Sequence, residues 1–128
     1  MNLFVRPAAV LRVEAACVLA ASIFVYAHLH FSWVWFAVLF FVPDLSMAGY
    51  LLNVRAGASI YNVGHILILP LALLGAGYEA GRPWMVMAGV IWLAHIEFDR
   101  MLGFGLKYPT FFKDTHLQHL ELEAEATA

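Results

Sequence analysis

Three histidines and three aspartates pose the chemical question in this chain. His95 and Asp99 stand four residues apart, so a helix carries both on one face. That spacing lets two side chains ligate one metal ion. Asn62 and His65, three apart, also share a helix face. Asp44 directly follows Pro43, and a proline removes one backbone hydrogen bond and kinks a helix, which can aim Asp44 inward. Asp114 and His116 lie near the C-terminus and can close a site from one side when that segment folds back. Asp44, His65, His95, Asp99, Asp114 and His116 form a mixed carboxylate and imidazole set, which suits Zn, Mn or non-haem Fe. Six candidates are enough for one metal with supporting carboxylates, or for two metals. A divalent metal held there lowers the pKa of a bound water and makes a nucleophile. Asp44 and Glu14 are the expected catalytic carboxylates, with Glu14 as the base.

The elements that must position these residues follow from composition. The chain has 128 residues, is 63% hydrophobic and only 12% charged, and has a mean hydropathy of +0.80. A soluble domain carries about a quarter charged residues. The balance excludes a soluble enzyme, a disordered tail and a nucleic-acid binder, which needs a basic surface. The expectation is an all-α integral membrane bundle. Cys17 is the single cysteine, so no intramolecular disulfide forms and no cysteine-only metal cluster exists. Glu14 interrupts the first apolar stretch, which reads as a retained helix rather than a cleaved signal peptide.

Crossing the hydrocarbon core takes about 20 apolar residues. Four transmembrane helices are expected, over residues 7–27, 33–52, 56–78 and 84–102. Pro43 and Pro70 fall inside the second and third, and Pro83 suits the first turn of the fourth. Short connections make neighbours antiparallel. Residues 1–103 form the four-helix domain; residues 104–128 form an interfacial cytoplasmic segment ending in an acidic tail. Arg6, Arg12, Arg55, Arg100, Lys107 and Lys113 fall on one side of this arrangement, and only Arg82 on the other. The bias puts both termini in the cytoplasm of a bacterial inner membrane, with Trp33, Trp35, Tyr78 and Trp84 as an aromatic belt at the opposite face.

Depth then sorts the polar residues. At about 1.5 Å of rise per residue, His65 lies about 14 Å from the cytoplasmic face, Asp44 about 12 Å, His95 and Glu14 about 10 Å, and Asp99 about 5 Å. Ionisable residues at such depth are costly and rank as functional candidates. Plainer readings stand beside the metal site. The His95/Asp99 pair can simply hydrogen-bond to neighbouring helices. Glu14 can form an ion pair with Arg12 or Arg55 that fixes helix register. His28 and His30 read as solvated loop residues and His119 as part of the tail.

The strings HIEFDR (95–100), GFGLKYP (103–109) and FKDTHL (112–117) resemble a small bacterial integral-membrane family catalogued only as a domain of unknown function. PDLSMAGYL (43–51) and YNVGHILILP (61–70) look like its earlier blocks, so the resemblance covers residues 33–117. It implies a compact membrane helical domain and brings no activity, substrate or cofactor. Glu97 departs from the small residue expected there and adds charge beside the site. A looser likeness, in residue style only, is to bacterial membrane-bound metal-dependent hydrolases.

Three functions compete. The first is a membrane-embedded metal-dependent hydrolase acting on a lipidic or amphipathic substrate held by apolar walls. The second is a haem-b subunit with His65 and His95 as axial ligands. The third is a non-catalytic subunit or a proton-linked carrier working as a homo-oligomer or with a partner subunit.

Overall fold

A computed structural model describes residues 5–106 together with residues 117, 118, 120 and 122. Its described elements are all helical: α1 (Pro7–His28), α2 (Trp33–Leu39), a 3-10 helix (Val42–Leu51), α3 (Val54–His65), α4 (Ile68–Glu79) and α5 (Pro83–Met101). Three stretches are long and apolar enough to cross a membrane: Pro7–His28, Trp33–Leu51 and Val54–Glu79. The protein is therefore a membrane helical protein. The fourth expected span corresponds to α5, which forms a helix but carries Glu97, Asp99 and Arg100 in its last turns. The count of four spans thus does not follow from length and hydropathy alone.

Two of the three apolar stretches are broken, each by a proline four residues downstream. A proline ring clashes with the carbonyl of residue i−4 and cannot bond it. Pro43 points this conflict at Leu39, the last residue of α2. Pro70 points it at Ile66, which leaves the helix into an extended conformation (φ −89°, ψ 142°). Beyond the first break the chain resumes as a ten-residue 3-10 helix, with Pro43 at its start and the Ser46 hydroxyl donating to the Pro43 carbonyl at 2.6 Å. That is long for 3-10 geometry, whose runs rarely exceed about four residues. Non-helical backbone is tolerated at membrane depth only where protein or an aqueous cavity surrounds it.

The 3-10 helix and α3 pack as a hairpin through glycines. A Cβ at Gly57 would fall 2.3 Å from the Tyr50 ring, and one at Gly49 would fall 2.8 Å from Ile60. A second hairpin, α4–α5, uses Gly77 against Met85 and Gly89 against Leu74. Small residues let membrane helices approach this closely. Its turn is a Schellman cap: Gly81 has φ +63°, and the Arg82 N–H bonds the Gly77 carbonyl at 2.8 Å. α5 ends the same way, with Gly103 at φ +99° and the Phe104 N–H bonded to the Asp99 carbonyl at 2.9 Å.

α5 lies at the centre and packs against both α1 and α4. Its residues Val90 and Ile91 join Tyr26 of α1 in the core, surrounded by Phe36, Leu39, Phe40 and Leu74. The Tyr26 hydroxyl donates to the Ser32 carbonyl, tying α1 to the start of α2. At the other end Arg12 donates through Nε to the Met101 carbonyl at 3.0 Å, tying the start of α1 to the end of α5. Outward faces are apolar: Phe24, Val34, Leu45, Leu51 and Ile68 are all exposed.

Candidate metal centre

The broken stretches and α5 converge on one polar spot. Asp44 enters from the first turn of the 3-10 helix, His65 from the last residue of α3, and His95 and Asp99 from one face of α5. Each proline break thus delivers one residue to the spot: Asp44 lies just after the proline that ends α2, and His65 just before the backbone that Pro70 disrupts. Unwound helix segments in membrane proteins are where ion sites are built.

The distances are tight. His65 Nε2 and His95 Nε2 are 3.2 Å apart. Asp99 Oδ2 lies 3.3 Å from His65 Nε2 and 3.2 Å from His95 Nε2. Asp44 Oδ1 is 3.1 Å from His95 Nε2 and 3.7 Å from His65 Nε2. A tetrahedral metal with bonds of about 2.0–2.1 Å holds its donors about 3.3–3.4 Å apart. The group therefore has the size of one coordination sphere.

The imidazoles are oriented for that use. His65 donates from Nδ1 to the Tyr61 carbonyl at 2.9 Å, one helical turn back, which leaves the Nε2 lone pair facing the other donors. The Tyr61 ring lies flat on the His65 ring, with centroids 3.7 Å apart. His95 is fixed by the edge of Phe40, with centroids 5.0 Å apart. Its Nδ1 is buried against the Phe40 backbone without a hydrogen bond of full geometry. Both histidines are buried, whereas Asp99 is 19% and Asp44 34% exposed at the side chain. The four donors split accordingly. His65, His95 and Asp99 make a nearly equilateral triangle, and Asp44, nearer to His95 than to His65, is the most exposed of the four.

Of the sequence candidates, Asp44, His65, His95 and Asp99 are brought together. Glu14 is not among them. It is exposed on α1 and lines a different cavity of about 170 Å³ with Glu97 and Arg100. Glu97, two residues from His95, faces α1 as its helical position requires. Asp114 and His116 lie outside the described residues. The neighbouring Leu117 is buried and lines the Glu97 cavity, so at that residue the C-terminal segment does return to the bundle.

Haem fits poorly. Axial ligands face each other across a planar macrocycle, but here the two Nε2 atoms are within hydrogen-bond reach of each other, with two carboxylates around them. The space a porphyrin needs is taken. Sequence reading also overlooked three supporting residues. Tyr61 was legible in principle, because it lies at i−4 from His65. Trp92, whose indole donates to the Gly64 carbonyl at 2.6 Å, was likewise legible at i−3 from His95, whereas Phe40 is a tertiary neighbour without a local signal.

No curated protein and no solved structure matches the chain. The family resemblance seen in the sequence blocks is borne out over more than the expected range. Residues 8–120 match the family described as a domain of unknown function (DUF4260), and the chain belongs to that family.

Proposed function

We propose that Asp44, His65, His95 and Asp99 form a divalent metal centre, and that the protein is a membrane-embedded metal-dependent hydrolase acting on a lipidic or amphipathic substrate. One observation carries the reading: the five donor-to-donor distances, 3.1–3.7 Å, match the edges of a single coordination sphere. Two imidazoles and a carboxylate are a ligand set that leaves a position open for substrate or water. Zn, Mn and Fe all suit it.

The residues divide the work. His65, His95 and Asp99 hold the ion, and the backbone bond from His65 Nδ1 to Tyr61 keeps that imidazole in the ligating tautomer. Asp44, more exposed and farther from His65, takes the proton of the attacking water. A metal bound there supplies Lewis acidity toward a carbonyl or phosphoryl oxygen and makes water more acidic. The apolar surroundings exclude bulk water, which strengthens these electrostatic interactions.

The bacterial inner membrane, four spans and cytoplasmic termini complete the proposal. Arg6, Arg12, Arg55, Arg100, Lys107 and Lys113 are the basic residues assigned to the cytoplasmic side, and the bond from Arg12 to Met101 supports a shared end for the start of α1 and the end of α5. The deciding experiment is elemental analysis of detergent-purified protein never exposed to chelator. About one Zn, Mn or Fe per chain is expected, lost in the double variant His65→Ala/His95→Ala. A wild-type protein without stoichiometric metal would overturn the reading.

A further inference from the structure

One face of α5 carries Ala88, Trp92, His95 and Asp99 at helical spacing. Its last two residues belong to the metal group. Its first two line a cavity of about 300 Å³, together with Leu39, Pro43, Gly64 and Leu73. Pro43 and Gly64 immediately precede Asp44 and His65. The three segments that supply the donors, the 3-10 helix, α3 and α5, thus also line the cavity, and the two are stacked along one face of α5. Its walls are almost wholly apolar. The Ser46 hydroxyl on its rim is already engaged by the Pro43 carbonyl, and the Trp92 indole N–H by Gly64. An occupant therefore finds no unengaged polar side chain among these two and gains chiefly from apolar contact.

We propose that this cavity is the acyl-chain pocket of the site, and that the substrate is an ester whose carbonyl reaches the donor group while a medium-length acyl chain lies along Trp92 and Ala88. This rests on the hydrolase reading above. From His95 to Ala88 the helix rises about 10 Å, which sets the reach of the pocket. In the reaction a water oxygen bonds to the carbonyl carbon and the ester C–O bond breaks. The proton of the water passes through Asp44 to the departing alkoxide, leaving a carboxylic acid and an alcohol. The apolar lining favours an acyl chain over a polar headgroup, and Gly64 keeps its wall close to Ser46, where an added Cβ would come 3.0 Å from the hydroxyl oxygen.

The test uses full-length protein in lipid nanodiscs with p-nitrophenyl acetate and p-nitrophenyl octanoate. Ala88→Phe, and separately Leu73→Phe, fill the pocket. Each is expected to lower the octanoate-to-acetate ratio of kcat/KM by roughly tenfold, the scale on which hydrophobic pockets discriminate chain length. Metal content and thermal unfolding of each variant confirm an intact centre. An unchanged ratio overturns the pocket. A photoactivatable octanoic acid gives a second readout that needs no turnover, with labelling expected on Ala88–Trp92 and lost in Ala88→Phe. If wild-type protein hydrolyses neither ester but labels there, the hydrolase reading fails and the pocket stands. Labelling spread over the lipid-facing surface of α1 instead overturns the pocket, whatever the hydrolysis assay gives.

Discussion

The proposed chemistry rests on four side chains, and each can be separated from its neighbours by substitution. Asp44→Asn removes a proton acceptor while keeping the shape of the side chain. Metal retained at near wild-type content, with ester hydrolysis reduced by about 10²–10⁴-fold, is the expected result of elemental and kinetic analysis. His95→Ala should lose both metal and activity. Tyr61→Phe should keep the metal, because His65 is held by the Tyr61 backbone carbonyl and the Phe ring preserves the stack; a loss of metal there would move the orienting role to the hydroxyl. The pairing of His95 with Asp99 was legible from the sequence as an i, i+4 spacing. The approach of Asp44 and His65 was legible as similar depth and, for Asp44, as an inward turn at Pro43; for His65 depth alone says nothing about which way the residue faces. Glu14 shows the limit: it sits at the same expected depth and yet joins a different cavity, because its helix packs on another side of α5.

At the scale of elements, the prolines organise the site. Pro70→Ala restores a helix-compatible residue and removes the clash with Ile66, so α3 and α4 can run together. Helicity should hold or rise, while metal affinity falls at least tenfold, as read by competition with a chelator, because His65 no longer ends a helix. The glycine contacts make a cleaner stability pair. Gly57→Ala drives a Cβ into the Tyr50 ring and should cost about 1–3 kcal/mol in detergent unfolding. Gly75→Ala meets nothing within 4 Å and should be neutral or slightly stabilising, as expected for a helical glycine. The positions of the spans and of Pro83 at a helix start were readable from sequence. The complete interruption of two spans was readable only as a kink at Pro43. The difference matters, since a kink bends a helix whereas here the chain leaves α geometry altogether and resumes as a 3-10 helix.

For the whole molecule, the centre is a tie between segments that share few other contacts. The 3-10/α3 hairpin packs mainly on itself, and α5 packs mainly on α1 and α4. An ion held by His65, His95 and Asp99 would clamp the two units. Ligand binding stabilises the folded state by about 2.7 kcal/mol when free ligand is 100 times Kd. Chelation should therefore lower the unfolding midpoint of wild-type protein and leave His65→Ala/His95→Ala unmoved, a comparison that thermal scans in detergent make directly. The membrane class was plain from composition, and the structure expresses it as an apolar exterior over a largely apolar core that encloses one polar spot. The number of spans was less plain, because the helix that supplies two of the four donors carries the charges that weaken its own hydropathy.

Those two donors also come last in order of synthesis. Asp44 and His65 leave the ribosome 55 and 34 residues ahead of Asp99. At about 5–20 residues per second, the broken spans wait seconds for α5. During that interval a carboxylate and an imidazole sit beside interrupted backbone with no partners from the central helix. Completion of the centre is therefore a late step in biogenesis, and a chain stopped before His95 leaves the membrane holding half a site.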